Sequence, residues 1–306
     1  MYDLLILGGG PAGVSAGVYA SRKRLKTVFV AKDFGGQSVV SEGIENWIGT
    51  VKVSGAELAK NFEGHLRAYA GDMVEIKVPE VAVKIEKTDG GFIVKTDKDE
   101  YRTKTVLVST GSHRRKLSVP GAQEFEHKGI TYCASCDGPL FAGLDVAVIG
   151  GGNAGFETAA QLLAYVKSVV LIHRSPEFKA DPMTVKKVLS DPKMHAILNA
   201  DLLEIKGDKM VSGLVYKDKE SGETKELSLQ GIFAEVGSVP TTGFVEELVE
   251  LDEYKRIKID PWTQQTSVLG IWAAGDCTNI KYHQNNIASG DAVRALEDIY
   301  VTLKAK

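Results

Sequence analysis

The sequence predicts an α/β protein of two domains, the second inserted in the first, and three observations carry that expectation. The chain has 306 residues, room for two cores at roughly 150 residues per domain. Residues 3–33 and 145–175 align without a gap, each running from an apolar strand through three glycines and a helical stretch to a second apolar run. Far downstream, an apolar segment ending in Gly275-Asp276 and a helical stretch over 287–303 complete the sheet of the first domain rather than start a third.

Composition narrows the class. The chain carries 37 Lys+Arg against 40 Asp+Glu, a net charge of −3, with 43% hydrophobic and 25% charged residues. That is globular composition, and no uncharged run reaches the roughly 18 residues a membrane span needs. Nor is there a basic cluster to hold a phosphate backbone, so no nucleic-acid partner is expected. The 3 cysteines cannot build a disulfide framework. Met1 leads directly into Leu4-Leu5-Ile6-Leu7 with no basic n-region or cleavage site. A cytoplasmic location is expected, in which paired thiols serve catalysis or metal binding.

The first element is a strand over Asp3–Leu7 running into Gly8-x-Gly10-x-x-Gly13, then a helix beginning near Pro11 and Ala12, then the apolar run Val28–Ala31. Glycine is required here for a tight turn, for approach of a pyrophosphate to the backbone, and for close helix–strand packing. The helix amino terminus then faces the phosphates with free N–H groups. Asp33, about 20 residues on, is the acid expected to hold a ribose hydroxyl. Residues 72–108 alternate, as in Val81-x-Val83-x-Ile85, and read as antiparallel strands inserted in the first domain.

The second repeat carries Gly150-x-Gly152-x-x-Gly155 around Asn153 and Ala154. One GxGxxG is weak evidence, whereas two in register are strong, and the fold expected is two Rossmann-like, three-layer ββα dinucleotide-binding domains. The acidic position is Ser175 here, and the strand end carries His173-Arg174 with Lys179 beyond. Cations without a carboxylate suit a 2′-phosphate, so the second site leans to NADPH over NADH. A solvated loop is the alternative reading of the same residues. Residues 202–232 form a second small meander.

Upstream of the second repeat stands Cys133-Ala134-Ser135-Cys136-Asp137. Structural zinc needs four ligands, and the histidines at 65, 113, 127, 173, 195 and 283 are isolated, so no metal is expected. A redox disulfide is favoured, because thiols two residues apart close a small ring with little backbone movement. Asp137 reads either as its proton donor and acceptor or as a turn former before Gly138-Pro139. Cys277 reads as a small packing residue. Two dinucleotide sites and one dithiol suggest electrons passing from a nicotinamide through a flavin to a disulfide.

These motifs, with GGQ at 35–37, ENW at 45–47, STG at 109–111, CASCDG at 133–138, HRSPEFK at 173–179 and AAGDC at 273–277, resemble the low-molecular-weight thioredoxin reductase family over essentially the whole chain. They are also similar to the reductase part of the alkyl hydroperoxide reductase flavoprotein. The resemblance implies an FAD-binding domain over 1–112 and 243–306, an NAD(P)H-binding domain over 113–242 carrying the dithiol, a homodimer, and a large rotation between the domains. It implies that Gly35, Gly36, Gln37, Asn46, Thr110, Gly111, Gly275, Asp276, His283 and Gln284 join the first glycine loop in holding FAD. By the same resemblance Cys136 is the thiol nearest the flavin, Cys133 attacks the partner disulfide, and Asp137 is the acid–base group.

The implied activity passes electrons from NADPH through FAD and the Cys133–Cys136 disulfide to thioredoxin or a thioredoxin-like protein. A glutaredoxin-like or peroxiredoxin-reducing carrier is the alternative acceptor, NADH or ferredoxin the alternative donor, and an FAD-bound redox sensor the non-enzyme alternative. The chain departs from the family at two places, and at 139–140 and 231–239 its wording is closer to the alkyl hydroperoxide reductase flavoprotein. The pattern HRRxxxR becomes His173-Arg174-Ser175 with Lys179, where a point charge replaces the bidentate fork of Arg. Arg-Gln-Ala becomes His283-Gln284-Asn285, and the thioredoxin-like extension of the hydroperoxide reductase flavoprotein is absent, so electrons are expected to leave to a separate protein.

Overall fold

Strand Tyr2–Leu7 is apolar on both faces, with Leu4, Leu5 and Ile6 fully buried, as a central parallel strand must be. In the computed structural model, which describes residues 1–41 and 43–304, this strand lies at the middle of the first of two compact units. The units are Met1–His113 with Ser238–Lys306, and Arg114–Gly237 inserted between them.

The alternation of the first strand sorts its two faces into different cores. Leu4 and Ile6 pack with Val14, Phe29, Leu58, Leu66 and Leu296 on the helical side. Leu5 and Leu7 pack with Val28, Ile85, Phe92 and Val94 on the opposite side. The sheet runs Val74–Lys77, Thr27–Val30, Tyr2–Leu7, Glu100–Val108, Gly91–Thr96, Ala82–Thr88. Strand Glu100–Val108 pairs in both directions within this sheet. Its first half pairs antiparallel with Gly91–Thr96, and Val106–Val108 pair parallel with Ile271–Ala273.

The expectation that all of 72–108 is antiparallel needs correction: Val74–Lys77 pairs parallel with Thr27–Val30. The reason is the helix Gly55–Ala70 before it, which makes a β-α-β crossover and buries Leu58, Phe62 and Leu66. Ser54 caps that helix by accepting from the Glu57 N–H at 3.2 Å, an arrangement worth about 1 kcal/mol. The chain leaves the helix through Gly71 at φ +50°.

The inserted unit repeats the plan. Five parallel strands run Met194–Ile197, Ser168–Ile172, Asp145–Ile149, Gly231–Ala234, Ile130–Thr131. Val146 and Val148 face the helix side with Phe156 and Leu162, while Ala147 and Ile149 face Ile205, Leu214 and Ile232. The antiparallel layer is Ala200–Gly207, Val211–Asp218 and Thr224–Ser228. The end of the expected meander over 202–232 lies elsewhere, since Gly231–Ala234 belongs to the parallel sheet. Among the described residues no helix is long and apolar enough to cross a membrane.

Candidate functional site

Both glycine loops join the end of a buried strand to the start of a helix, at the edge where such sheets receive ligands. Two of the three glycines in each are explained by the protein itself. Gly8 has φ +115°, and a Cβ there would stand 2.2 Å from the Ser109 carbonyl oxygen. Gly150 has φ +129°, and its Cβ would stand 2.2 Å from the Glu235 carbonyl oxygen. At Gly13 and Gly155 a Cβ would strike the carbonyl oxygens of Gly8 and Gly150, at 1.8 and 1.9 Å.

The middle glycines are different. A Cβ on Gly10 would find its nearest neighbour 4.0 Å away at Gly36, and one on Gly152 would find nothing within 4 Å. Both residues have negative φ, −76° and −95°, which any residue adopts. Each is the N-cap of its helix, Pro11–Arg22 or Asn153–Leu162, and no side chain caps either amino terminus. Helices Gly55–Ala70 and Pro182–Leu189 are capped, by Ser54 and Asp181. Free N–H groups and cleared space stand together at two homologous places, which fits a pyrophosphate at each.

The first unit gathers most of its expected residues around the Gly8–Gly13 loop. Gly35 and Gly36 take left-handed φ of +98° and +60°, and the Gly35 N–H donates to the Gly9 carbonyl at 2.9 Å. Asp33 lies exposed in that turn. Gln37 Nε2 donates to Asp276 at 3.1 Å, and Asn46 Nδ2 to Gln284 Oε1 at 3.1 Å. Gly275, at φ +77°, sits against Ala12 and Ala288. Thr110 donates to the Thr241 carbonyl at 2.6 Å, next to Gly111 at φ +65°. His283 Nε2 lies 2.9 Å from the Ile280 carbonyl oxygen. Sequence reading misses three clasps: Ser112 with Gln37 at 3.3 Å, Asn285 with Ser38 at 2.9 Å, and Asn286 with the Asn46 carbonyl at 2.7 Å.

In the second unit Asn153 Oδ1 accepts from the Asp181 N–H at 2.8 Å, and the Lys179 N–H donates to the Gly151 carbonyl at 2.8 Å. Ala154 is exposed beside the loop, and so are Arg174 and Lys179. His173 corrects the expectation of a cation at this strand end. It is buried, its Nδ1 accepts from the Gly151 N–H at 3.1 Å, and burial holds its pKa below the usual histidine value.

Cys133 and Cys136 form a disulfide with their α-carbons 5.3 Å apart. Cys133 is the N-cap of the short helix Ala134–Asp137, and its sulfur accepts from the Cys136 N–H at 3.2 Å. The Cys136 N–H thus points at the Cys133 sulfur. Ser135 donates to Gln161 at 2.7 Å, so the dithiol segment is held on the helix that follows the second glycine loop. Asp137 accepts from the Thr131 hydroxyl. Burial raises the Asp137 pKa, against the Thr131 hydrogen bond that lowers it, which suits a carboxyl that exchanges a proton. Cys277 is fully buried, and burial pushes its thiol up to about 12, so it is a packing residue.

Each unit thus carries one strand-to-helix glycine loop, and the second also carries the Cys133–Cys136 disulfide. A model of the pyridine nucleotide-disulphide oxidoreductase family matches residues 2–291, and the chain belongs to that family, whose thioredoxin reductase-like members bind FAD and a pyridine nucleotide. It is similar to solved thioredoxin reductases from Streptococcus pyogenes MGAS5005, with TM-score 0.92 and 33% identity over 100% of this chain and 99% of that one, and from Giardia duodenalis, with TM-score 0.93 and 30% identity over the same shares. A protein of Bacillus subtilis (strain 168) named NADH dehydrogenase is 42% identical over 294 residues, 96% of this chain and 57% of that protein. A protein of Escherichia coli (strain K12) named as a component of alkyl hydroperoxide reductase is 39% identical over 296 residues, with the same coverage. The chain therefore spans a little over half the length of these two relatives.

Proposed function

We propose that the chain is an FAD-dependent disulfide reductase that takes electrons from NADPH and delivers them through Cys133 and Cys136 to thioredoxin or a thioredoxin-like protein. The observation that carries this is the pair Gly10 and Gly152, open positions where the protein itself makes no demand for glycine. In this reading the first unit holds FAD with Gly8–Gly13, Asp33, Gly35, Gly36, Gln37, Asn46, Thr110, Gly111, Gly275, Asp276, His283 and Gln284. The second holds the pyridine nucleotide with Gly150–Gly155, Arg174 and Lys179. Bound FAD supplies acceptance of a hydride from the nicotinamide and delivery of the electron pair to the disulfide.

The protein's own groups carry out the exchange. Reduced Cys133, with the Cys136 N–H pointing at its sulfur, attacks one sulfur of the partner disulfide, and a mixed disulfide forms as the partner bond breaks. Cys136 then attacks Cys133, which restores the intramolecular bond and releases the partner as a dithiol. Asp137, its pKa raised by burial, moves the proton. The likeness to solved thioredoxin reductases supports a thioredoxin-type acceptor, and a homodimer belongs to the same reading.

A second reading puts NADH in place of NADPH. It is favoured by Ser175 where a third cation would stand and by the name NADH dehydrogenase of a 42% identical relative. Anaerobic mixing of the flavin-loaded protein with each nucleotide, followed by flavin absorbance, separates the two. Bleaching by NADPH supports the first reading, bleaching by NADH alone supports the second, and bleaching by neither overturns both. Cys133→Ser is expected to keep bleaching and lose disulfide turnover, so normal turnover in that variant refutes the dithiol route.

A further inference from the structure

The two glycine loops are repeats in sequence, and their backbone anchoring differs at one position. In the first loop the Gly9 carbonyl accepts from the Gly35 N–H at 2.9 Å, and in the second the Gly151 carbonyl accepts from the Lys179 N–H at 2.8 Å. The second loop has a further bond, from the Gly151 N–H to His173 Nδ1 at 3.1 Å. The matching residue of the first repeat is Ala31, whose side chain accepts nothing. The imidazole lies directly against the loop, since a Cβ on Gly151 would stand 2.5 Å from the His173 Cγ. It also stacks on Phe178 with ring centroids 6.2 Å apart, and is 8% exposed.

We propose that His173 is a positioning residue for the pyridine nucleotide, fixing the second glycine loop through the Gly151 N–H, and is not a cation that binds the nucleotide's 2′-phosphate. The inference rests on the reading of the second unit as a pyridine nucleotide site. A ring nitrogen that accepts from an N–H carries no proton, so the bonded imidazole is neutral. Burial favours that form, as do the cationic side chains of Lys179 and Arg174, while the nearby Glu177 backbone works the other way. Fixing Gly151 fixes its neighbour Gly152, the position left open for pyrophosphate. Pyrophosphate is common to NADP⁺ and NAD⁺, so loss of the anchor must weaken both by one factor. Loss of a 2′-phosphate cation would weaken NADP⁺ alone.

The test measures Kd for NADP⁺ and for NAD⁺ by calorimetry on the flavin-loaded protein. Asn presents its Oδ1 about where His presents Nδ1, whereas Ala has no acceptor and Gln places its own further out. His173→Ala and His173→Gln are expected to weaken both nucleotides equally, by about threefold to tenfold, the effect of losing one buried hydrogen bond. His173→Asn is expected to restore both affinities to within about twofold of wild type. Hydrogen exchange over residues 150–152 should quicken in the alanine variant and slow again in the asparagine variant, whatever happens to binding. A loss confined to NADP⁺, an asparagine variant as weak as alanine, or an alanine variant with unchanged affinity and exchange would each overturn the inference. Wild-type protein that binds neither nucleotide overturns the nucleotide reading, and this inference with it.

Discussion

Arg114 Nη1 donates to the Glu235 carboxylate at 3.0 Å, and the Thr158 hydroxyl donates to its other oxygen at 2.8 Å. Glu235 follows strand Gly231–Ala234 with only 5% of its side chain exposed. Its backbone carbonyl is the one that a Cβ on Gly150 would strike. Burial raises the carboxyl's pKa, and Arg114 and Thr158 pull it down. Arg114→Ala removes much of that pull, and with Arg114 itself partly exposed the expected loss is about 2 kcal/mol at pH 8. A carboxyl whose folded pKa is raised binds more protons folded than unfolded, so its cost appears as pH rises above the ordinary Glu value and disappears below it. The defect in thermal midpoint should therefore shrink toward pH 5, and adding Glu235→Gln should recover most of it. Equal defects at pH 5 and pH 8 would refute this account.

The Thr131 hydroxyl sets how far Asp137 titrates from its ordinary value. Burial pushes that carboxyl up, and the donated hydrogen bond, which favours the ionised form, holds the rise in check. Thr131→Val is expected to raise the pKa further, so the limb of the pH–turnover profile that requires protonated Asp137 moves to higher pH. Asp137→Asn should slow disulfide turnover by about 100-fold while leaving flavin bleaching by nucleotide intact. A profile unmoved in the valine variant would show that the hydroxyl does not act on the titrating group.

The glycines of one loop should fail in different ways. Gly155→Ala places a Cβ 1.9 Å from the Gly150 carbonyl oxygen, so helix Asn153–Leu162 must shift, at a cost of about 1–3 kcal/mol in stability. Gly152→Ala meets no protein atom within 4 Å. It is expected to fold with wild-type stability and to lose nucleotide binding at least tenfold, because the methyl occupies the pyrophosphate's place. Calorimetry and thermal melts on both variants check this, and a Gly152→Ala protein that binds normally would remove the main support for a dinucleotide there.

The repeat, the inserted topology and the residues of the glycine loops are legible in the sequence because periodicity and glycine spacing are local signals. The direction of Val74–Lys77 is not, since its alternation matches the antiparallel strands after it while its pairing depends on the helix Gly55–Ala70 placed before it. His173 reads by residue type as a cation, whereas burial holds its pKa below the usual histidine value and its Nδ1 accepts from the Gly151 N–H, 22 positions away in sequence. The Arg114–Glu235 pair joins residues 121 apart, and Asn286 meets the Asn46 carbonyl across 240. Contacts of that kind carry no sequence pattern, because the fold alone brings them together.

Arg174 and Lys179 should behave in the opposite way to His173. Both are exposed on the segment latched to the second loop through the Lys179 N–H, and neither side chain anchors the glycine backbone. On the proposed reading these two charged side chains meet the 2′-phosphate that NADP⁺ carries and NAD⁺ lacks. Arg174→Ala is expected to weaken NADP⁺ by about tenfold, the lower end for a charge-assisted hydrogen bond at an exposed site, and to leave NAD⁺ unchanged. Lys179→Ala should do the same to a smaller degree, since a point charge lacks the planar fork of Arg. Raising the salt concentration should erode the preference for NADP⁺ in the wild type and have little left to erode in the double variant. Were both nucleotides weakened equally by Arg174→Ala, the 2′-phosphate would have to be read elsewhere, and NADH would become the favoured donor.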